Sequence, residues 1–333
     1  MNFLITGAAG FIGYHLARRL LDAGHVVHGA DNLTPYYDVR LKQARLERLA
    51  AYPAFRFHLA DVADRSALRT VFAAGAPETV IHLAAQAGVR HAITDPDSYV
   101  QANLIGTHQV VELSRAAGVR HLLMASTSSV YGASQAMPFT EMDSADTPLT
   151  IYAATKRAGE LLAHSAAHLW RVPTTMFRFF TVYGPWGRPD MALFRFTRAI
   201  LAGEPIDVHN HGAMARDFTY VDDLAEAIVR LAGCVPEQGA RFGARDSLSA
   251  VAPFRVVNIG GGQPVALGDF IAAVEAAVGR AAIRNDLPMQ PGEVVKTWAD
   301  PTLLEQLTGY CPATPISVGV PAFVAWYRGY YGV

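Results

Sequence analysis

Gly7-Ala8-Ala9-Gly10-Phe11-Ile12-Gly13 is the stretch that decides the fold of this 333-residue chain. It follows the apolar run Asn2-Phe3-Leu4-Ile5-Thr6 and precedes an amphipathic stretch over 14–23, which predicts a strand, a tight turn and a helix. Gly7 permits the bend, Gly10 lets a pyrophosphate approach the backbone, and Gly13 lets the helix pack closely on the strand. Exposed N–H groups and the positive end of the helix dipole then attract phosphate. The motif predicts a dinucleotide site; the alternative is a turn that only packs the first helix.

The acid that follows the second strand bears on which dinucleotide binds. The run His25-Val26-Val27-His28-Gly29-Ala30 predicts this strand, which leads into Asp31 and Asn32. A carboxylate about twenty residues beyond the glycines accepts hydrogen bonds from an adenosine ribose and repels a 2′-phosphate. We therefore predict NAD rather than NADP, although Arg40 and Lys42 nearby favour the opposite choice.

The first half of the chain alternates strand-like and helix-like segments, which is typical of an α/β fold with a doubly wound parallel sheet. Further strands are predicted over 55–59, 79–83, 121–125 and 174–178, and the longest helix over Ser98–Ala117. Ligands of such sheets bind beyond the carboxyl ends of the strands, where the candidate residues fall.

From about Thr181 the pattern breaks into short segments separated by proline and glycine. Helices are predicted over 220–231 and 267–278, and a surface loop over 239–253. We expect an NAD-binding domain over 1–180, to which 206–232 and 255–262 also contribute, and a smaller mixed α/β lobe over 181–333 that binds the rest of the ligand.

Composition excludes several classes of protein. Hydrophobic residues make up 51%, charged residues 17%, and the formal net charge is −1, which argues against a disordered chain and against nucleic acid as a partner. No apolar run reaches the length of a membrane span. Two cysteines, Cys234 and Cys311, cannot form a disulfide framework, and the spacing of the histidines predicts no metal site. We expect a cytoplasmic protein.

Tyr152 and Lys156 form the second informative motif, because residues four apart share one face of a helix. A tyrosine has a pKa of about 10 and is a poor base at neutral pH. A lysine ammonium and a positive nicotinamide ring would both favour the phenolate and lower that pKa. The alternative is a surface tyrosine lying over a lysine stem.

A run of hydroxyl groups, Ser126-Thr127-Ser128-Ser129, follows the strand that precedes this helix. Thr127 or Ser128 could share the proton of a sugar hydroxyl with Tyr152. Because serine and threonine also favour caps and turns, a purely structural cluster is the alternative.

Taken together, these motifs resemble those of the extended short-chain dehydrogenase/reductases, over essentially the whole chain. Asp61-Val62, His82-Leu83-Ala84-Ala85, Asn103 and Val130-Tyr131-Gly132 add to the resemblance. More narrowly, four segments resemble the UDP-glucuronate 4-epimerases: Tyr36–Val39, Thr181–Ala192, Arg216–Asp223 and Gln290–Val294.

The resemblance implies a set of site residues. Tyr152, Lys156 and Thr127 would be catalytic. The residues implied at the cofactor are Gly7, Gly10, Phe11, Ile12, Gly13, Asp31, Asn32, Asp61, Val62, Leu83, Ala84, Ala85, Gln86, Asn103, Ser126, Tyr152, Lys156 and Phe179. The residues implied at the UDP-sugar are Arg90, Thr127, Ser128, Ser129, Thr181, Arg188, Met191, Ala192, Arg216 and Glu293. For the arginines, a solvated ion pair is the alternative.

The activity implied by the resemblance is NAD-dependent interconversion of UDP-glucuronate and UDP-galacturonate through a 4-keto sugar. Relatives that dehydrate or decarboxylate their sugar carry an acid where this chain has Ser129, which argues against both reactions. A 4-epimerase for a neutral UDP-hexose, a UDP-glucuronate decarboxylase and a non-catalytic NAD-sensing scaffold are the alternatives. The resemblance also implies a homodimer, in which helices around 98–117 and 152–169 of each subunit form a four-helix bundle.

Overall fold

A computed structural model describes residues 1–290 and 292–333 of the chain. Pro291, part of the predicted motif over Gln290–Val294, lies outside the described residues.

A seven-stranded sheet forms the centre of the molecule, with strand order β10-β6-β5-β4-β1-β2-β3. Its strands are parallel throughout, as the pairs Leu4↔His28 and Ile5↔Ile81 illustrate. The strands of this sheet are β1 (Asn2–Thr6), β2 (Val26–Asp31), β3 (Phe55–Leu59), β4 (Thr79–His82), β5 (His121–Thr127), β6 (Thr174–Phe179) and β10 (Phe254–Ile259). The predicted doubly wound α/β fold is confirmed.

Helices cover both faces of this sheet. The α-helices of the described residues are, in chain order, α1 (Phe11–Asp22), α2 (Val39–Ala50), α3 (Arg65–Gly75), α4 (His91–Thr94), α5 (Pro96–Tyr99), α6 (Thr107–Ala117), α7 (Ile151–Trp170), α8 (Ala192–Ala202), α9 (Val221–Gly233), α10 (Leu267–Val278), α11 (Thr302–Thr308) and α12 (Ile316–Tyr331). Apolar residues of α1, α9 and α11 share one core with the sheet, whereas those of α3, α6 and α7 share a second core on the opposite face. The strands β4, β5, β6 and β10 are therefore fully buried, as is typical of a parallel sheet with helices on both faces, whereas the edge strand β3 is only partly buried.

The second half of the chain adds two small sheets and a third core. One sheet has the order β11-β9-β7, formed by Pro264–Ala266, Ala215–Tyr220 and Thr181–Tyr183; the other pairs β12 (Ile283–Leu287) with β8 (Pro205–His209). Aromatic and aliphatic residues of α8, α10 and α12 pack together beside them. Between β9 and β10, the chain runs through α9 and returns to the large sheet.

The largest difference from the sequence prediction concerns the helix expected over Ser98–Ala117. The segment contains the end of α5, then a π-helix over Val100–Gly106, and then α6. The wider π turn is invisible to hydrophobic periodicity, and π-helical turns often lie at functional sites. Elsewhere the differences are small: the predicted helix over 220–231 spans Val221–Gly233, while α10 has the predicted bounds. Within the described residues, no helix has the length and apolar character needed to cross a membrane.

Candidate active site

The glycine turn between β1 and α1 has the geometry of a phosphate site. Gly7 adopts φ 76°, and the Gly10 amide donates to the Gly7 carbonyl at 3.0 Å. A Cβ added at Gly13 would lie 2.1 Å from that carbonyl oxygen, so only glycine fits the close packing of helix on turn. No side chain caps the first turn of α1, whose amides are free to bind an anion. The turn therefore fits the pyrophosphate of a dinucleotide.

Asp31, expected at the adenosine ribose, ends β2 beside this turn and is buried. Its carboxylate accepts hydrogen bonds from the Ala9 amide at 3.2 Å and the Leu33 amide at 2.8 Å. Lys42 lies 3.3 Å from the same carboxylate, and Arg40 pairs with Asp38. Both cations that favoured NADP in the sequence thus have acidic partners. Nearby, Asn32 donates to Asp61 at 2.9 Å.

Asn103 joins the loop after β4 to the helix that carries Tyr152. The Gln86 amide donates to the Asn103 side chain at 2.9 Å, and the Asn103 amide group donates to the Gln86 carbonyl and to Thr155 Oγ1, each at 3.1 Å. Asn103 lies in the π-helix and is buried. The loop Leu83–Gln86, predicted to line the cofactor, is fixed in this way between β4 and α7, and Val62 contacts the π-helix next to Gly106.

Tyr152 and Lys156 lie on the first turns of α7, which Thr150 caps by accepting from the Ala153 amide at 3.1 Å. Burial raises the pKa of the Tyr152 phenol, whereas the hydrogen bond to Thr127 and the charge of Arg188 act in the opposite direction. Burial also lowers the pKa of Lys156 to about 8. Among the protein's own groups, desolvation outweighs the two effects that favour the phenolate, and a pKa lowered by the lysine together with a nicotinamide ring stays a prediction. A cationic ring beside the phenol would still favour the phenolate.

The hydroxyl run after β5 separates into two orientations. Thr127 caps the short 3₁₀ helix Ser128–Tyr131 through the Ser129 amide at 3.2 Å, and its hydroxyl also contacts that of Ser129. Ser126 points the other way and donates to buried Glu160 at 2.5 Å. Its hydroxyl is thus occupied within the protein, so only its backbone remains for the predicted cofactor contact.

Sequence reasoning missed the buried ion pair between Glu160 and Arg178. The Arg178 guanidinium binds the Glu160 carboxylate with two bonds of 3.0 and 2.8 Å. The signal was available, since Tyr152, Lys156 and Glu160 continue one four-residue spacing along the same helix face. Arg178 could not be found this way, because it comes from β6 and meets Glu160 only in the folded chain.

A cavity of about 400 Å³ opens at the carboxyl end of β5 and extends between the two halves of the chain. Nine of the ten residues predicted at the UDP-sugar line it: Arg90, Thr127, Ser128, Ser129, Thr181, Met191, Ala192, Arg216 and Glu293. Lining residues that the sequence did not suggest include Phe180, Arg195, Asp207, His209 and Phe218. Neither ring nitrogen of His209 has a hydrogen-bond partner within the described chain.

The charged groups of the cavity are partly paired. Arg90 and Glu293, both expected at the UDP-sugar, form an ion pair of 2.5 Å with each other. Arg216 donates to the Ala215 and Val295 carbonyls at 2.9 and 3.0 Å, which fixes its guanidinium next to the cavity. Burial lowers the pKa of Arg216, and the charge of Glu293 opposes this effect.

Arg188, also predicted at the sugar, does not line this cavity. It lies at a small neighbouring pocket and pairs with Asp190, which does line the cavity, through bonds of 3.0 and 2.5 Å. The Tyr36 hydroxyl donates to the same carboxylate at 3.3 Å.

Phe179, predicted at the cofactor, ends β6 with its ring stacked on Phe177, and it is buried. Among the described residues, no group of three or more histidine, cysteine, aspartate or glutamate side chains could hold a metal ion.

Comparison with known proteins decides the family. Residues 3–240 match the NAD dependent epimerase/dehydratase family. The chain belongs to this family. Among curated members, the "Probable UDP-glucuronate 4-epimerase" of Rhizobium meliloti (strain 1021) is 56% identical over 99% of this chain and 98% of its own length. UDP-glucuronate 4-epimerase 2 of Arabidopsis thaliana is 40% identical over 99% of this chain and 76% of its own.

A solved structure aligns with almost the whole chain. The UDP-glucuronic acid 4-epimerase of Bacillus cereus, crystallised with UDP-glucuronic acid and NAD, superposes with a TM-score of 0.88. The alignment covers 99% of this chain and 100% of that chain at 32% identity. The predicted resemblance to an extended short-chain dehydrogenase/reductase is thus confirmed.

Proposed function

We propose that this enzyme interconverts UDP-glucuronate and UDP-galacturonate, with NAD as its cofactor. One observation supports this most: a single cavity joins the hydroxyl cluster Thr127–Ser129 and Thr181 to the cations Arg90 and Arg216. Hydroxyl donors suit a sugar carboxylate, and a fixed guanidinium suits a diphosphate. The named activities of the relatives agree with this assignment.

Catalysis requires removal of a proton from the sugar 4-hydroxyl. NAD, when bound, supplies the chemistry of accepting a hydride from C4 and returning it. Tyr152 takes the hydroxyl proton as the C4–O bond becomes a ketone, and Thr127 is placed to pass or share that proton. The Lys156 ammonium, whose pKa of about 8 keeps it mostly protonated near neutral pH, stabilises the phenolate. C4 would be inverted if the 4-keto sugar turns in the cavity, so that the opposite face of C4 is presented for reduction.

The intermediate is a β-keto acid, so the protein must also prevent loss of carbon dioxide. Decarboxylation needs the breaking C–C bond to align with the ketone. Thr127, Ser128, Ser129 and Thr181 present hydroxyls that can hold the carboxylate out of this alignment. Ser129 is neutral where dehydrating and decarboxylating relatives carry an acid, so no second carboxylate promotes elimination.

The two halves of the chain are proposed to divide the ligands. Residues 1–180, with contributions from 206–232 and 255–262, would bind NAD, and 181–333 would mainly bind the nucleotide sugar. Most of the residues that line the cavity belong to 181–333. Turning of the sugar requires space, which a cavity of about 400 Å³ offers.

We also propose a cytoplasmic homodimer. The π-helix that precedes α6 and the helix α7 expose large apolar side chains, as expected of faces that meet a second copy in a four-helix bundle. These are Ile105, Leu161, Leu162, Leu169 and Trp170. Cys234 and Cys311 are unpaired thiols, which suits a reducing compartment.

A product assay tests the reaction. The purified enzyme is incubated with UDP-glucuronate without added reductant, and ¹H NMR should show UDP-galacturonate accumulating to an equilibrium. Absence of that product would remove the assignment. Formation of a UDP-pentose with carbon dioxide would instead identify a decarboxylase. Equal or faster turnover of UDP-glucose would identify a neutral-sugar epimerase.

A further inference from the structure

Glu160 connects three elements that carry residues of the proposed site, the strands β5 and β6 and the helix α7. Its carboxylate accepts from Ser126 on β5, the residue before Thr127, at 2.5 Å. It binds Arg178 on β6, the residue before Phe179, and Arg157 on its own helix at 2.9 Å. Glu160 itself lies one helical turn beyond Lys156, on the same face of α7. One carboxylate thus ties two strand ends to the helix that carries Tyr152 and Lys156.

The environment of this carboxylate makes its charge effective. Glu160 is 1% exposed, Arg178 2% and Lys156 6%. Charges buried to this degree interact through a medium of low effective dielectric and are only weakly screened by salt. Burial raises the pKa of Glu160, but the hydrogen bonds and charge of Arg178, together with the hydrogen bonds from Ser126 and Arg157, outweigh it and hold the pKa below its usual value, so the group stays ionised.

We propose that Glu160 is a positioning residue of the reaction, which keeps Lys156 protonated and holds α7 in register with the strand ends beside it. The effect of Glu160 on catalysis rests on the proposed function, in which a protonated Lys156 stabilises the Tyr152 phenolate. The link between Glu160 and Lys156 itself depends only on the fold.

The other groups around Lys156 do not replace this charge. His82 on β4 is buried, and burial together with Lys156 lowers its pKa to about 3, so it is neutral. Asn103 and Thr107 face the helix from the π-helix and α6 as neutral groups. Tyr152 is a neutral phenol before the reaction. The cations Arg157 and Arg178 both donate hydrogen bonds to the Glu160 carboxylate. Burial lowers the pKa of Lys156, and among the neighbouring groups the Glu160 carboxylate is the one that raises it.

The chain offers an unusually direct test, because it contains three lysines, Lys42, Lys156 and Lys296. Holoenzyme grown with [ε-¹³C]lysine is titrated by NMR as wild type, Glu160→Gln and Glu160→Asp, and Lys156→Arg identifies the resonance. We expect Glu160→Gln to lower the pH at which Lys156 titrates by at least about one unit, a tenfold change in its acid constant. Glu160→Asp keeps the carboxylate charge, so Lys156 should titrate in this variant at nearly the same pH as in wild type.

The same variants give a second readout with product formation. The alkaline limb of the kcat profile should move to lower pH in Glu160→Gln by the same amount as the NMR titration. A carboxylate with only a structural role would lower activity equally at every pH and leave the Lys156 titration unchanged, and this result in a folded variant would overturn the proposal. Failure to form UDP-galacturonate would affect the proposed function alone, since the NMR titration needs no substrate.

Folding is checked by thermal unfolding, because Glu160→Gln leaves buried Arg178 without a counterion. If that variant does not fold, Glu160→Gln combined with Arg178→Met removes both charges. The double variant should still lower the pH at which Lys156 titrates, because Glu160 lies one helical turn from that lysine on the same face of α7. An unchanged titration in the double variant would equally overturn the proposal.

Discussion

At the scale of single residues, the phenol of Tyr152 is the group on which the proposed chemistry depends. Tyr152→Phe removes the proton acceptor but keeps the ring that packs edge-on against Tyr99. We expect kcat to fall by about 10²–10⁴-fold, the usual contribution of general acid–base catalysis. The content of bound NAD, measured by absorbance after denaturation, should stay unchanged. Tyr52→Phe, at a surface tyrosine bonded to Asp22, is the matched control. Retained activity in Tyr152→Phe would show that another group takes the proton.

A second residue, Glu141, makes a prediction about pH and stability. Its carboxylate accepts from the Asn258 amide at 2.7 Å, and burial raises the pKa of Glu141 to about 7. A carboxyl whose pKa rises on folding binds its proton more tightly in the folded state. Its contribution therefore favours folding at low pH and is lost as pH rises from about 4.5 to about 7.

Glu141→Gln should remove this dependence, since the amide stays neutral and its oxygen can still accept from Asn258. Relative to wild type, the variant should gain up to about 3 kcal/mol of unfolding free energy between pH 5 and pH 8. Urea unfolding at the two pH values measures the difference, and Glu47→Gln on the exposed face of α2 is the control. If the difference in unfolding free energy between Glu141→Gln and wild type were the same at both pH values, the raised pKa of Glu141 would be contradicted.

At the scale of elements, the turn between β1 and α1 makes the most specific prediction. Gly13→Ala places a methyl group 2.1 Å from the Gly7 carbonyl oxygen, so turn or helix must move. We expect loss of bound NAD and of about 1–3 kcal/mol or more of stability, as for overpacking. Gly268→Ala is the matched control, because a Cβ at this helical glycine of α10 meets nothing within 4 Å. That change should be neutral or stabilise by about 0.5–1 kcal/mol. Equal effects of the two variants would contradict the close packing.

Elements also differ in how far the sequence could reveal them. Strands β1 and β3 and helix α10 were predicted to the residue, because each combines a clear period with glycine or polar boundaries. The π-helix over Val100–Gly106 was not, since one extra residue per turn leaves the hydrophobic pattern almost unchanged. The site divides in the same way. Gly13, Tyr152 and Thr127 come from local motifs, whereas the pairs Arg90–Glu293 and Glu160–Arg178 join distant segments that only tertiary folding brings together.

At the scale of the whole molecule, the proposed dimer accounts for an apolar surface on α7. Leu161 is 55% exposed and Leu169 66%, and Trp170 beside them packs under Arg115 of α6 at 4.8 Å. Such a surface is costly in a monomer and is typical of a protein interface. Leu161→Glu would place a charge in the centre of a four-helix bundle, where it loses water without gaining a partner.

We therefore expect wild type to sediment as a dimer and Leu161→Glu as a monomer at micromolar concentration in analytical ultracentrifugation. Leu59→Glu is the control, because Leu59 is 69% exposed at the end of β3, on the far edge of the sheet. It adds the same charge away from α7 and should leave the dimer intact. A monomeric wild type, or a dimer that survives Leu161→Glu, would contradict the bundle. Because α7 also carries Tyr152 and Lys156, dissociation should lower kcat as well, by loosening the first turns of that helix.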